Sequence, residues 1–225
     1  MFRFASWAML FVALVFSTAR ADEPLNPFAK LTPIDGDSFV FLGDSITSQA
    51  MYTQYLETYF YTRYPQLRLK FHNAGVSGDT IADALVRFDR DVAAYRPKYV
   101  TVLLGMNDGA AERFDEPLFD AYRANMQTLV EKIRAIGAEP ILISPTMYDL
   151  RAKQLNPKPD SCGRGGYCNG VLALYGSWLR EFGADRGLGF VDTYGPLNFS
   201  PNNRARLMQS SRSSPTGFIP TLEAT

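Results

Sequence analysis

Short apolar runs alternate with longer helical patterns from Ser38 to Asp192. Between the runs, apolar residues recur at three- and four-residue spacing, as they do on one face of a helix. Alternation of this kind, with no internal repeat or linker, is typical of a parallel sheet covered by helices on both sides. We therefore predict a flavodoxin-like, doubly wound, five-stranded α/β fold. Its strands are expected over residues 38–42, 67–71, 99–104, 140–144 and 189–192.

Four helices are predicted between these strands. The first covers residues 46–64, and the second is capped by Asp79 or Thr80. The third begins after Asp115 and ends at Gly137, and the fourth carries Val171, Tyr175, Trp178 and Phe182. Open sheets of this class bind ligands beyond the carboxyl ends of their strands. Residues that bind a ligand or catalyse a reaction are therefore expected in the loops beginning near Gly43, Asn73, Gly105, Pro145 and Thr193.

Composition narrows the function class. A chain of 225 residues, 46% of them hydrophobic, suits one domain with a sizeable core. Its 23 basic and 23 acidic residues argue against a nucleic-acid partner, which usually meets a basic face. Two cysteines and one histidine cannot supply the four ligands of a usual zinc site, so no metal is expected. No phosphate-cradling glycine-rich loop follows the first strand, so no flavodoxin-type cofactor is expected either.

The first 21 residues resemble an export signal. Arg3 gives a positive start, an apolar run follows from Trp7 to Phe16, and Ala19-Arg20-Ala21 offers small residues for cleavage before Asp22. The run is short for a bilayer span. We therefore predict a signal peptide over residues 1–21, a mature domain over 22–225, a secreted or periplasmic location and no stable membrane span. A retained anchor is the alternative.

Two cysteines lie close together in the loop that follows the fourth strand. A flexible five-residue spacer separates Cys162 from Cys168. In an oxidising compartment this spacing favours a disulfide, with two free thiols as the alternative. The loop from Asn156 to Gly170 is expected to shape specificity. Tyr148, Tyr167 and Tyr175 could stack on a sugar, or they could serve core packing.

The first loop, Gly43-Asp44-Ser45-Ile46, places a serine between a buried strand and a helix start. Backbone N–H groups there are unpaired and carry partial positive charge, which would stabilise an alkoxide or oxyanion. The alternative is that Ser45 only caps the helix.

Two further loops add candidate hydrogen-bond donors. The second loop contains Gly75 and Gly78, and a glycine can let the backbone approach a ligand closely. The third, Gly105-Met106-Asn107-Asp108-Gly109, offers the Asn107 amide to a developing negative charge. Taken singly, both loops could be ordinary turns.

Together the three blocks resemble the SGNH, or GDSL-type, hydrolase family over roughly residues 39–194. The sequence has GDSI where many members have GDSL, and GMND near the family's GxND. The resemblance implies that Ser45 is the nucleophile and that the Ser45 N–H, the Gly78 N–H and the Asn107 side chain form the oxyanion hole. Gly75 is the alternative to Gly78.

The resemblance also implies an activity. It points to a secreted serine hydrolase of carboxylic esters that works through an acyl-serine intermediate and needs no cofactor. The substrate would be an acetylated carbohydrate, a lysophospholipid or a simple ester, with the acetylated carbohydrate favoured.

The family's fourth block, Asp-x-x-His, is missing after Ser200. That block supplies the general base and the carboxylate that orients it. We expect the lone His72 to be structural and Asp192 to be a strand-end or capping carboxylate. The chain is then a poor esterase. The alternatives are a pseudoenzyme that binds carbohydrate or lipid, and an active hydrolase with an unconventional base such as His72.

Residues 207–225 have neither helical nor strand periodicity, so no closing C-terminal helix is expected. Shifted codons across Arg212 to Thr225 are compatible with a string that contains Asp-Gly-Phe-His, an Asp-x-x-His. We hypothesise a frameshift between about Asn203 and Arg212. The coding DNA tests this directly, because an alternate frame without Asp and His codons there would exclude it.

Overall fold

The computed structural model describes residues 31–109, 113–148 and 168–198. Its five strands all pair in parallel, in the spatial order β2-β1-β3-β4-β5. The predicted doubly wound sheet is therefore confirmed. The strands are β1 (Ser38–Gly43), β2 (Lys70–Gly75), β3 (Tyr99–Leu103), β4 (Glu139–Ile143) and β5 (Gly189–Val191).

The second strand lies further along the chain than predicted. The apolar pattern predicts residues 67–71, but Pro65–Leu67 form a 3-10 turn and Arg68 has a left-handed backbone with φ 40°. Because β2 contains the polar residues His72 and Asn73, a search for apolar runs stops short of its true end. Consequently His72 lies inside β2, beyond the predicted end of that strand.

Six helices are present in the described residues. They are α1 (Ser45–Ser48), α2 (Met51–Arg63), α3 (Ile81–Asp91), α4 (Glu116–Ala135), α5 (Cys168–Asp185) and α6 (Tyr194–Asn198). The single helix predicted over 46–64 is two helices, because Ala50 adopts a left-handed backbone with φ 59° between them. This break leaves α1 as one short turn packed on the strand ends.

The predicted helix caps hold for α3 and α4. The Thr80 side chain accepts a hydrogen bond from Asp83 N, and the Asp83 carboxylate accepts from the Thr80 backbone in return. Thr80, not Asp79, is therefore the cap of α3. Asp115 Oδ1 accepts from Leu118 N at 3.0 Å at the start of α4. Gly137, with φ 78°, follows the end of α4, as a C-terminal glycine commonly does.

Helices cover both faces of the sheet. On one face, Val40, Val100 and Leu142 pack in a large core with residues of α3, α4 and α5. On the other face, Phe39, Tyr99 and Ile141 form a smaller core, against which Phe60 of α2 packs. Within the described residues, no helix is both long and apolar enough to span a membrane.

Parallel register brings the functional loops to one edge. Gly43 pairs with Gly75 on one side and with Leu103 on the other. The loops after β1, β2 and β3 therefore start side by side. The predicted signal peptide, Cys162, Tyr167 and residues 207–225 lie outside the described residues. Cys168, the first residue of α5, is buried, and its predicted pairing with Cys162 stays a prediction.

Candidate active site

Ser45 is the first residue of α1, two residues after the end of β1. Asp44 is the N-cap of this helix, and its Oδ1 accepts a 2.9 Å hydrogen bond from Ile46 N. The alternative that Ser45 serves as the cap is therefore wrong. The Ser45 hydroxyl is half-buried and has no hydrogen-bond partner among the described residues.

Close packing holds α1 against the strand ends. A Cβ at position 43 would lie 2.0 Å from Thr47 Oγ1, and one at position 75 would lie 2.3 Å from Ser48 N. Only glycine fits at these two sites. Asn73 Nδ2 also donates to Thr47 O at 2.7 Å, which ties β2 to the same turn. The backbone that carries Ser45 is thus fixed from two neighbouring strands.

The second loop presents Gly78 differently from Gly75. Gly78 is exposed, has φ 89°, and would have nothing within 4 Å of an added Cβ. Its N–H donates to no described residue. In contrast, Gly75 N–H already donates to Asn73 Oδ1 at 2.9 Å. The geometry therefore favours Gly78 over Gly75 as a backbone donor to a ligand.

The third loop is bonded to the second. Asn107 Nδ2 donates to the backbone carbonyl of Asp79 at 2.7 Å, and Asp108 Oδ1 accepts from Ile81 N at 3.1 Å. Since an amide nitrogen carries two hydrogens, one N–H of Asn107 remains for a ligand. Ser45, Gly78 and Asn107 thus lie in the three neighbouring segments that follow β1, β2 and β3.

A family model described as GDSL-like lipase/acylhydrolase matches residues 41–212, a span that contains all three loops. The chain belongs to the GDSL-like lipase/acylhydrolase family. The resemblance predicted from the three sequence blocks is therefore confirmed. By family resemblance this GDSL-like protein is a carboxylic ester hydrolase.

This GDSL-like protein is similar to three further proteins. It is 24% identical over 185 residues to an acetylxylan esterase of Geobacillus stearothermophilus, covering 72% of this chain and 78% of that protein. It is 27% identical over 154 residues to thioesterase 1/protease 1/lysophospholipase L1 of Escherichia coli, covering 64% of each. An uncharacterised lipoprotein of Bacillus subtilis is 36% identical over 74 residues, covering 32% of this chain and 30% of the lipoprotein.

A solved acetylxylan esterase structure from Geobacillus stearothermophilus shares the fold. The two superpose with a TM-score of 0.61 at 23% identity, covering 79% of this chain and 83% of the esterase. Variants of that esterase described as catalytic mutants change a serine, an aspartate and a histidine.

The only histidine of this GDSL-like chain lies away from the site edge. His72 pairs in register with Val40 and stacks on the Tyr95 ring at 3.5 Å between centroids. Three residues of extended strand separate His72 from Gly75, about 10 Å along β2. Partial burial lowers the pKa of His72, and the charge of Asp91 opposes that effect.

Asp192 is engaged at the end of β5. Its Oδ1 accepts from Ser144 Oγ and from Gly195 N, both at 3.1 Å. It is a strand-end and capping carboxylate, as predicted. Within the described residues, no carboxylate or imidazole hydrogen-bonds to the Ser45 hydroxyl.

Two carboxyl groups near the loops are shifted toward the neutral form. Burial raises the pKa of the Asp44 carboxyl. Burial also raises the pKa of Asp108 to about 6, and the hydrogen bond that its Oδ1 accepts from Ile81 N opposes this effect. The other oxygen, Asp108 Oδ2, is buried and has no hydrogen-bond partner in the part of the chain that the structure describes.

Arg87 is the main residue of this site that sequence reasoning missed. It lies on α3, is buried, and donates from Nε to Asp79 Oδ2 at 2.6 Å and from Nη2 to Gly43 O at 3.2 Å. A signal was present, because Arg87 follows Ile81 and Ala84 at the three-residue spacing of the buried face of α3. Exposure is the usual expectation for an arginine, so the spacing alone did not single it out.

A cavity of about 470 Å³ opens between the starts of α4 and α5. It is lined by Arg113, Phe114, Gly170, Val171 and Leu174. Tyr175 comes next along α5, and its hydroxyl lies 3.5 Å from the carbonyl of Asp108. Tyr175 itself is buried and packs on Tyr122, so its role is packing rather than stacking on a sugar.

Proposed function

We propose that this chain is a serine ester hydrolase in which Ser45 attacks the carbonyl carbon of a carboxylic ester. The observation that carries the proposal is the position of three groups just after neighbouring strands: the Ser45 hydroxyl, which has no hydrogen-bond partner among the described residues, the Gly78 N–H and the Asn107 amide. In acyl transfer, donors fixed in this way stabilise the oxyanion of the tetrahedral intermediate.

The reaction has two halves. The Ser45 hydroxyl loses its proton, its oxygen bonds to the ester carbonyl carbon, and the Ser45 N–H, the Gly78 N–H and Asn107 hold the resulting oxyanion. Collapse of the tetrahedral intermediate breaks the bond to the alcohol oxygen. The alcohol takes up a proton and departs, and an acyl-serine remains. Water then attacks the acyl-serine, releasing the acid and restoring the hydroxyl.

Turnover is slow in this chain, because no histidine follows His72 in the sequence. Serine hydrolases depend on a positioned base to take the serine proton. When a triad is disrupted, the oxyanion hole and binding alone retain roughly 10³-fold acceleration over water. We infer a residual activity of that order, with bulk water or hydroxide as the proton acceptor.

An acetylated carbohydrate is the proposed substrate. Similarity to an acetylxylan esterase over most of both chains supports an acetyl ester of a sugar polymer. Similarity to a lysophospholipase supports a longer acyl chain as the alternative, for which the apolar part of the cavity near α5 offers a surface.

Export is part of the proposal. The amino-terminal pattern that predicts a signal peptide supports a secreted or periplasmic protein, and the match to a lipoprotein is compatible with export. Cell fractionation tests the secreted or periplasmic location, and mass measurement of the mature amino terminus tests the signal peptide. A mature chain that begins at Asp22 is the expected result.

A fluorophosphonate probe and an aryl acetate test the catalytic proposal. The probe is expected to label Ser45 slowly, and the acetate to be hydrolysed at a low rate that Ser45→Ala abolishes. Labelling at another residue, or hydrolysis unaffected by Ser45→Ala, would refute the assignment. Fast turnover would refute the impairment.

A pseudoenzyme is the second candidate, favoured by the absence of any histidine after His72. Such a protein would bind an acetylated oligosaccharide without any reaction at Ser45. Calorimetric binding combined with a complete lack of labelling would support the pseudoenzyme. Ser45-dependent labelling would support the hydrolase.

A further inference from the structure

Arg87 forms the centre of a buried polar cluster beneath the three loops. Its side chain and that of Asp79 are only 8% and 11% exposed, and they form an ion pair at 2.6 Å. Arg87 Nη1 also donates to Asp91 Oδ2 at 3.2 Å on the same helix. Isolated buried charges are strongly unfavourable, so a pair of this kind needs its partners held in place.

The same guanidinium reaches the strand that carries the nucleophile. Arg87 Nη2 donates to Gly43 O at 3.2 Å, and Gly43 lies two residues before Ser45. This carbonyl also accepts from Val76 N at 3.0 Å in the second loop. One carbonyl at the end of β1 therefore joins the first loop both to the second loop and to α3.

Asp79 extends the cluster to the oxyanion donors. It follows Gly78 directly, and its backbone carbonyl accepts the 2.7 Å hydrogen bond from Asn107 Nδ2. Arg87 fixes the side chain of Asp79 while Asn107 bonds to the main chain of the same residue. A shift of Asp79 would move both the Gly78 N–H and the Asn107 amide.

We propose that Arg87 is a positioning residue that sets the distance between the Ser45 nucleophile and the Gly78 and Asn107 donors. This role rests on the proposed ester hydrolysis and adds to it a residue outside the three family motifs. Arg87 contacts Gly43 and Asp79 rather than any reacting atom. Small errors in placement at a site of this kind reduce rates by about 100-fold per ångström.

The geometry requires arginine rather than a positive charge alone. The planar guanidinium donates from separate nitrogens to the Asp79 carboxylate, the Gly43 carbonyl and the Asp91 carboxylate. A lysine ammonium is a compact point charge that cannot present this fork. Arg87→Lys therefore keeps the positive charge but loses the set of hydrogen bonds to Asp79, Gly43 and Asp91.

The test compares Arg87→Lys and Arg87→Gln with Arg90→Gln. Arg90 lies one turn further along α3, contacts the same Asp91, and has a 78% exposed side chain. It is therefore a matched control that does not reach Gly43 or Asp79. A double variant, Arg87→Gln with Asp79→Asn, removes both buried charges and so guards against simple loss of folding.

Two readouts are needed. The first is the rate of Ser45 labelling by the fluorophosphonate at saturating and subsaturating probe. We expect the maximal rate to fall by about 10- to 100-fold in the Arg87 variants with little change in apparent affinity, and to stay within twofold in Arg90→Gln. The second is the NMR spectrum of the Asn107 side-chain amide and the Gly78 N–H, which should shift in the Arg87 variants alone.

The outcomes separate the two proposals. If wild-type Ser45 does not react, the ester hydrolase proposal fails, and the NMR readout still decides the role of Arg87. If folded Arg87 variants keep both the labelling rate and the two amide signals of wild type, Arg87 is not a positioning residue. If every Arg87 single variant unfolds, the double variant supplies the same two measurements.

Discussion

Asn107 Nδ2 donates a 2.7 Å hydrogen bond to the backbone carbonyl of Asp79. This bond joins the loop after β3 to the loop after β2, so the third block of the family motif is fixed onto the second. It also orients the amide, since the nitrogen rather than the oxygen must face the carbonyl. The remaining N–H is then directed by the fold before any substrate binds.

Replacement of Asn107 with aspartate should remove this donor at constant size. A carboxylate cannot donate to Asp79 O and would repel an oxyanion. Loss of one oxyanion donor reduces rates by about 10²- to 10³-fold. We therefore expect the Ser45 labelling rate of Asn107→Asp to fall by that factor, measured by intact-protein mass spectrometry with the fluorophosphonate.

Asn125→Asp makes the same chemical change in the middle of α4 and is the control. It should label at the wild-type rate. Equal labelling of Asn107→Asp and wild type would show that the Asn107 amide does not serve the oxyanion.

Alanine substitutions at Gly78 and Gly137 form a matched pair that tests the Gly78 N–H as an oxyanion donor. Both glycines have positive φ values, 89° and 78°, and an added Cβ at either would meet no atom within 4 Å. An L-residue in this backbone region costs about 1–2 kcal/mol. Gly78→Ala and Gly137→Ala should therefore lower the free energy of unfolding by similar amounts in urea titrations.

Reactivity should separate this pair. Only Gly78→Ala alters the backbone that presents a proposed oxyanion donor, so only this variant should slow Ser45 labelling. A similar slowing in Gly137→Ala would mean that general destabilisation, rather than the Gly78 N–H, controls the rate.

Apolar periodicity was sufficient to predict the sheet and most element positions, because buried strands and amphipathic helices have distinct spacings. Apolar periodicity failed where polar residues form part of a strand or where a left-handed residue interrupts a helix. His72 and Asn73 concealed the end of β2, and the left-handed Ala50 divided a helix that looked continuous. Both errors fall at elements that support Ser45.

The site was predictable only in part for a related physical reason. Ser45, Gly78 and Asn107 lie in loops that directly follow strands, so topology alone brings them to one edge. Arg87 is distant in sequence from Gly43, and its hydrogen bonds depend on how α3 packs. Periodicity shows which face of a helix is buried, but not which polar group crosses to a neighbouring strand.

Asp108 should make stability depend on pH. Burial raises its folded-state pKa to about 6, from an ordinary value of 3.8. As pH rises from about 4 to 6, the unfolded chain loses this proton first, so the free energy of unfolding falls. The difference in pKa corresponds to about 3 kcal/mol. The Asp108→Asn variant should therefore be more stable than wild type at pH 7 but not at pH 4.

Urea titrations across pH 4 to 7 measure this difference. The buried Asp44 carboxyl also has a raised pKa and contributes in the same direction, so only the gap between wild type and variant reports on Asp108. Asp89→Asn is the control, since its side chain is 85% exposed on α3. A constant gap between Asp108→Asn and wild type over the whole range would contradict the prediction.

His72 should prove to be structural rather than catalytic. It stacks on Tyr95 and lies about 10 Å along β2 from the edge where Ser45 is found. We expect His72→Gln to leave the Ser45 labelling rate within twofold of wild type while lowering the free energy of unfolding at neutral pH by about 1 kcal/mol, through loss of the ring stack. Tyr95→Leu removes the same stack but keeps the imidazole, so its free energy of unfolding should fall by a similar amount.

The stability contribution of His72 should also depend on pH. Because the folded-state pKa of His72 is lowered below 6.5, the unfolded chain binds the proton first as pH falls through that value, and wild type should lose stability there. His72→Gln should lack this loss, whereas Tyr95→Leu should retain some of it. A tenfold drop in labelling for His72→Gln, without one for Tyr95→Leu, would instead identify His72 as the base.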